Sequence, residues 1–437
     1  MDTIEAPSCV NYTINSIETH KTIYQNGSFD VSLSQKRSKF SPKNKVVTCP
    51  QTGEITTFEL RNQCGKCNDF VEKKEGDARF ERYALQSAAR KILYNQKHPR
   101  GHSVSWRVND CLRGVTGADV RVLMSLEYQK AHYANLRVCG SVWTCPVCAA
   151  KISEHRKKEI ETAAAVHTEA GGFMYMVTYT FSHSRNDNLA TLLGDGKQKF
   201  GLSGALQRLR DSRGYKKLLE QIDHIGLVRN LEVTHGEANG WHPHVHELWL
   251  VNKKLSFREL VAFKNTLFDL WYKACEKAGL SLPNRKRGVD MVLATDPAEY
   301  LQKWGREKTW TIGSELAKSH VKRGGSGGRT PFDLLRLYLN DISKADYYAS
   351  LFSDYAYSFF GKRQCFWTNG LKNLFLIQDK TDEEIALEND DQAIEIAIIS
   401  KDDWKKVLNN SYESRAIILR LAETGGADAV KLFIGSL

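Results

Sequence analysis

The chain has 437 residues, with 62 Lys and Arg against 51 Asp and Glu, a net charge of +11 and a pI near 9.0. That length allows two or three domains with sizeable cores, and the basic balance favours an anionic partner such as nucleic acid. No apolar run approaches the roughly 18 residues of a membrane span, the N-terminus lacks a signal pattern, and ten cysteines, some as Cys-x-x-Cys, suit zinc better than a secreted disulfide framework. A cytoplasmic protein with no membrane partner is expected.

Residues 1–77 read as a tail with a small ribbon. Gly27 to Lys45 is polar and basic, and Cys49, Cys64 and Cys67 supply three of the four ligands of a second zinc site. Residues 78–164 read as a helical zinc-binding region. Apolar residues recur at helical spacing from Arg79 to Leu93, and Cys111 with Cys139, Cys145 and Cys148 gives the four sulfurs of a closed structural Zn²⁺ site. The rival reading of Cys145 and Cys148 as a redox pair leaves Cys139 unexplained. A basic helix follows over Lys151 to Ile160, either solvated or tracking phosphates.

Residues 165–312 hold the main chemistry. Phe173 to Phe181 is a β-branched and aromatic run, long enough for a buried strand. Leu202 to Leu219 and Phe257 to Ala278 read as helices, and Val289 to Leu293 as a further strand. Between the helices, Val228 to Thr234 is a strand, Asn239-Gly240 a turn, and the run from Val245 a second strand, with Pro243 suited to a strand start or edge. Side chains two apart on a strand share a face, so His244 and His246 point together, and Glu232 on the other arm supplies a carboxylate. Two nitrogens and one oxygen around an open position suit Mn²⁺ or Mg²⁺ acting on a phosphate. His242 has the same parity and is the alternative third ligand.

Asp296-Pro297-Ala298-Glu299 has the capping-box form of a helix start, which places Tyr300 and Lys303 on one face. A tyrosine hydroxyl becomes a useful nucleophile when a metal and an ammonium stabilise its phenolate. Residues 313–437 read as a helical C-terminal region. Within it, Lys322, Arg323 and Arg329 flank a glycine-rich loop fit for a DNA backbone, and Thr330-Pro331 starts a helix. The aromatic run Tyr347 to Phe360 reads as core, with stacking on unpaired bases as the alternative. Asp379 to Glu395 is acidic, and Ser411 to Leu437 is an amphipathic helical end.

Strand, helix, hairpin, helix, strand is an α+β pattern around an antiparallel sheet. The chain also resembles the HUH endonucleases, specifically the rolling-circle replication initiators of small bacterial plasmids with a single catalytic tyrosine. The resemblance rests on Cys139 to Cys148, on Val177 to His183, on Leu231 to Gly236 with Gly240 to His246, and on Tyr300-x-x-Lys303. It extends to Gly361 to Lys372 and Thr381 to Glu384, and so covers about residues 80 to 400. It implies an HUH nuclease core with flanking helices and a metal-dependent nick of one DNA strand at the double-strand origin. The products are a 5′-phosphotyrosine and a 3′-hydroxyl primer, and the strand is later rejoined or released. By resemblance His244, His246 and Glu232 hold the metal, Tyr300 is the nucleophile, Lys303 assists it, and host helicase and polymerase are partners. Asp296 takes the position from which some members activate water, although it is also explained as a helix cap. A single-tyrosine transposase or relaxase shares this chemistry, and a zinc-containing DNA-binding regulator without catalysis is the other alternative.

Overall fold

The computed structural model describes the backbone of residues 45–48, 55–61 and 69–72, and residues 78–101, 103–294, 328–388 and 392–437. Strands β1 (Lys45–Thr48), β2 (Ile55–Arg61) and β3 (Asp69–Glu72) form a small antiparallel sheet in that order. Helix α1 (Ala78–Leu93) buries Tyr83, Leu85, Ala88, Ala89, Ile92 and Leu93, as its apolar spacing predicts. Strands β4 (Val120–Met124) and β5 (Ala131–Ala134) follow, so the segment expected to be helical also contains a hairpin. Helix α2 (Pro146–Glu169) then starts with proline in its first turn.

The main sheet begins with β6 (Phe173–Tyr179). After α3 (Leu189–Leu193), α4 (Gly201–Asp211) and α5 (Arg213–Glu220), the chain forms the long hairpin of β7 (His224–Gly236) and β8 (Gly240–Val251). Helix α6 (Phe257–Lys277), opened by a Ser256/Glu259 capping box, leads to β9 (Val289–Leu293). A short strand from the C-terminal part, β10 (Cys365–Trp367), completes the order β10-β7-β8-β6-β9, antiparallel throughout.

Alternation divides this sheet into two faces. One carries Tyr175, Val177, Tyr179, Val245 and Trp249 into the large core with Leu206 of α4, Tyr215 of α5 and Trp271 of α6. The other carries Met174, Met176, Val228, Leu248 and Leu250 into a second, smaller core with Ile160 and Ala163 of α2. Along β7 and β8 the small apolar core ends at Val228 and Leu248, and the next residues of the same parity are Asn230, Glu232, His246 and His244.

A third sheet pairs β4 with β5 and with β11 (Ile394–Ile399), in the order β11-β4-β5. The acidic stretch expected to be solvated therefore runs into a sheet edge. The closing helix, Ser414–Gly435, is kinked at Gly426 and buries Arg415, whose guanidinium donates to Gln86 Oε1 (2.9 Å) and to the Leu112 carbonyl (3.2 Å) and lies over the Tyr83 ring.

Other differences have local causes. The helix expected from Leu202 to Leu219 is two helices, because Ser212 leaves α4 in an extended conformation and caps α5 by accepting from the Tyr215 N–H. Strand β8 begins at Gly240, so Pro243 lies inside it. Strand β6 reaches only to the level of Val245, which leaves that side of β8 a local edge where a missing N–H costs nothing. The aromatic run is core: Tyr348, Phe352, Tyr355 and Phe359 are buried. Thr330 caps the helix Pro331–Asn340 through Asp333, as read from sequence.

Replacing Arg415 with Ala leaves two buried acceptors without this donor, and should cost about 3 kcal/mol of stability. A lowered urea midpoint with an unchanged slope is the expected measurement.

Candidate metal centres

Cys111, Cys139, Cys145 and Cys148 converge at the start of α2. Their sulfurs lie 3.5 Å (Cys111 to Cys148), 3.6 Å (Cys139 to Cys148) and 3.7 Å (Cys145 to Cys111) apart. A disulfide requires about 2.05 Å, whereas four sulfurs about 2.3 Å from one tetrahedral Zn²⁺ are about 3.75 Å from each other. The donor set and its spacing therefore fit zinc. The sulfurs are dressed as thiolates are: Gln86 Nε2 donates to Cys145 Sγ (3.3 Å), the Cys139 N–H to Cys111 Sγ (3.4 Å) and the Ser141 N–H to Cys139 Sγ (3.5 Å). Gln86 is itself held by Arg415, which links the centre to the end of the chain.

The second centre is built by the hairpin. Gly240 closes its turn with φ +70°, and a Cβ there would come 2.8 Å from the Arg185 carbonyl, so only glycine fits. The resulting register sets Glu232 opposite His244 and Asn230 opposite His246, with Thr178 beside His246 on the other flank. Glu232 Oε2 is 3.5 Å from His244 Nε2 and 3.7 Å from His246 Nε2. Neighbouring ligands about 2.1 Å from one octahedral cation are about 3.0 Å apart, so an inward movement of about half an ångström closes this set on a divalent ion.

The surroundings fix each ligand. Asn230 Nδ2 donates to Glu232 Oε1 (3.1 Å), leaving Oε2 toward the histidines. His244 Nδ1 lies 3.1 Å from the His242 carbonyl, which can only accept, so Nδ1 carries a proton and Nε2 is the nitrogen turned toward Glu232. His246 Nδ1 is 2.9 Å from Thr178 Oγ1. A carboxylate oxygen facing an imidazole lone pair is repulsive until a proton or a metal cation lies between them.

His242 is placed differently. Its Nδ1 is 2.7 Å from His183 Nε2, while His183 Nδ1 is 2.9 Å from the Asn239 carbonyl of the turn. Burial, and then the neighbouring imidazoles, push its pKa down to about 3, so it is neutral. It stacks on His244 at 4.9 Å and stands outside the convergent set. Thr178, His183 and Asn230 are the residues the sequence reading did not single out as site groups. For Thr178 and Asn230 the parity of β6 and β7 with the histidines is the signal that could have found them, whereas His183 lies beyond the end of β6 and no strand parity points to it.

Arg329 pairs backbone to backbone with His235, ion-pairs with Glu237 at the hairpin tip (2.7 Å) and lies over the Tyr348 ring, so it is tied to the protein. The basic helix likewise spends its charges internally: Arg156 binds Glu159 and Asp382, and Lys157 faces Glu154. Tyr300, Lys303, Asp296, Lys322 and Arg323, and Cys49, Cys64 and Cys67, lie outside the described residues. Residues 295–327 connect Ala294, whose N–H bonds the Met174 carbonyl, to Arg329 beside His235. Both anchors are on the sheet that carries the histidines. Among the described residues, no helix is long and apolar enough to cross a membrane.

The chain is 27% identical over 351 residues to a protein described as Protein rep from Streptomyces lividans, an alignment that covers 66% of this chain and 76% of that protein. It is 35% identical over 132 residues to a protein described as Neomycin resistance protein from Streptomyces cyanogenus, covering 26% of this chain and 30% of that one. The first of these is a distant homologue over most of both lengths. No family model and no solved structure matches the chain.

Metal analysis by plasma mass spectrometry should show Cys148→Ser losing one zinc equivalent relative to the parent chain, with a large fall in Tm. For the second centre, Asn230→Ala should weaken divalent-cation binding by about ten- to a hundredfold while leaving the zinc content unchanged. Calorimetry with Mn²⁺ as the probe reads that loss.

Proposed function

We propose that the protein initiates rolling-circle replication of a plasmid by nicking one DNA strand at the double-strand origin and later rejoining or releasing it. The observation that carries this reading is the convergence of Glu232, His244 and His246 at the end of the sheet face where the apolar core stops. The distant homology to Protein rep over two thirds of the chain supports the replication context, and the resemblance of the motifs to HUH nucleases supports the chemistry. In this reading residues 165–312 are the nuclease unit, resting on the zinc-braced helix α2.

A Mn²⁺ or Mg²⁺ ion held by this set supplies Lewis-acid polarisation of the scissile phosphate. Glu232 and the two imidazoles fix its position, and Asn230, Thr178 and the His242 carbonyl fix theirs. Tyr300, on the segment whose two ends are anchored on the same sheet, attacks phosphorus through its phenolic oxygen. The bond to the 3′ oxygen breaks, that oxygen takes up a proton, and the 5′ phosphate remains on the tyrosine. Lys303, three residues on in sequence, offsets the charge of the phenolate. At termination Asp296 takes a proton from water, whose oxygen attacks phosphorus; the bond from phosphorus to the Tyr300 oxygen breaks, the phenolate takes up a proton, and the 5′ phosphate is released. Lys322 and Arg323 contact the DNA backbone, and the free 3′-hydroxyl is extended by host polymerase behind a host helicase.

Incubation with 5′- and 3′-labelled single-stranded origin DNA and Mn²⁺ should give a protein band, shifted on a denaturing gel, that retains the 3′ portion of the DNA. The band should vanish in Tyr300→Phe and in EDTA. Binding without any cleavage would instead identify a DNA-binding regulator. Asp296→Asn, which caps a helix nearly as well but accepts no proton, should nick normally and accumulate the covalent complex; unchanged release on the same gel removes Asp296 from catalysis.

A further inference from the structure

A cleft of about 680 Å³ opens between the zinc knuckle and the segment that leads into β10. It is walled on one side by Gly140 to Thr144 and on the other by Phe360 to Thr368. Seven basic side chains and three carboxylates line it, and the carboxylates are already matched. Asp382 is held by Arg156 (2.8 Å), Glu383 by Arg107 (2.8 Å) and Asp379 by Lys372 (3.1 Å). Of the four cations that remain, Lys380 is held by Glu388 (2.6 Å), which leaves Arg100, Lys362 and Arg363. Neither Arg100 nor Arg363 has an ion-paired carboxylate among the described residues, and Lys362 Nζ donates to the Gly194 carbonyl (3.1 Å) with the Asp195 carboxylate near enough to favour its charge.

The wall between these cations is aromatic. Phe360 lies 4.7 Å from His98 and 6.1 Å from Trp106, with the Arg100 guanidinium 5.2 Å from its ring centre. Trp367 lines the far end, and its indole N–H, like that of Trp106, finds no acceptor among the described residues. One wall of the cleft also runs into the sheet that carries the histidine centre. The Leu231 N–H donates to the Gln364 carbonyl (3.0 Å), so the chain carrying Lys362 and Arg363 joins the sheet beside Glu232. Cys365 and Trp367 then share the parity of Asn230 and Val228 on the face that carries the ligands.

We infer that this cleft binds an unpaired stretch of DNA that continues toward the Glu232–His244–His246 centre, with Arg100, Lys362 and Arg363 on phosphates and the half-buried Phe360, beside Arg100, offered to a base, whereas Trp367 is buried in the small core under Lys372. The inference rests on the nicking function proposed above and gives that function a path for its substrate. Uncompensated cations beside aromatic faces suit single strands, because only unpaired bases expose their faces for stacking, whereas a duplex presents groove edges and phosphates.

The test measures fluorescence anisotropy of the full-length protein with a labelled single-stranded oligonucleotide of origin sequence over a salt series, alongside Mn²⁺-dependent nicking. The variants are Arg100→Ala, Arg363→Ala and, as a control remote from the cleft, Lys405→Ala, whose side chain pairs with Asp402 on an exposed helix. Neither cleft arginine holds up the fold through an ion pair, so circular dichroism and zinc content should match the parent protein. Each cleft variant should bind several-fold more weakly, with the slope of log K against log salt reduced by about 0.7, one phosphate contact on a single strand. Nicking at saturating DNA should persist, and Lys405→Ala should bind as the parent does. Unchanged affinity and slope in both cleft variants, in a protein that still nicks, would overturn the cleft and leave the nuclease standing. An equal loss with the same sequence as a duplex would overturn the single-strand assignment. A parent protein that neither binds nor nicks would remove the nicking function and the cleft with it.

Discussion

The register of one hairpin decides the chemistry of this molecule. Because side chains alternate along a strand, a slip of one residue between β7 and β8 would send Glu232 or both histidines to the opposite face and separate them. Three features pin the register. Gly240 takes a positive φ in a turn too close to Arg185 for any side chain, Val228 and Leu248 must enter the apolar core under α2, and Leu227 and Trp249 must enter the core on the other side. The ligands inherit their positions from hydrophobic residues that have no part in the chemistry.

The same strands show how surroundings sort two glutamates into different work. Glu247 is 1% exposed, ion-paired with Arg210 and bonded by the Trp249 indole at 2.9 Å, so its charge is already matched within the protein. Glu232 has one oxygen on a neutral amide and the other toward the Nε2 atoms of two imidazoles. The first arrangement is complete as it stands. The second is arranged so that a proton or a metal cation on the imidazole nitrogens completes it, which makes Glu232 the candidate ligand of the two.

Much of this was legible from sequence. The periodicities placed α1, α6, β6 and β9 within a few residues, the Cys-x-x-Cys spacing brought four sulfurs to one point, and the His-x-His parity put two imidazoles beside Glu232. Several of the misses share a cause. β10, three residues long, and β11 pair with strands far away in sequence, and no local pattern announces a partner more than a hundred residues off. Arg156 and Arg329 looked available for phosphates because their local sequence is basic, whereas Asp382 and Glu237 satisfy them in space. Charge pattern alone cannot tell a spent cation from an available one.

That distinction also ties the zinc centre to the proposed DNA path. The Cys₄ knuckle lies at the N-terminus of α2, and α2 forms the floor of the small core that stops at the histidine centre. Trp143 of the knuckle donates to the Lys362 carbonyl (2.7 Å) and packs on Phe359, so the knuckle also positions the loop that carries Lys362 and Arg363. A closed tetrahedral site is well suited to such a role, since it holds four chain positions rigidly without needing a large core beneath them. Zinc loss is therefore expected to loosen the DNA path and the support of the hairpin together, even though no zinc ligand belongs to the Glu232–His244–His246 set. The chain's two candidate metal sites differ in chemistry but rest on one helix.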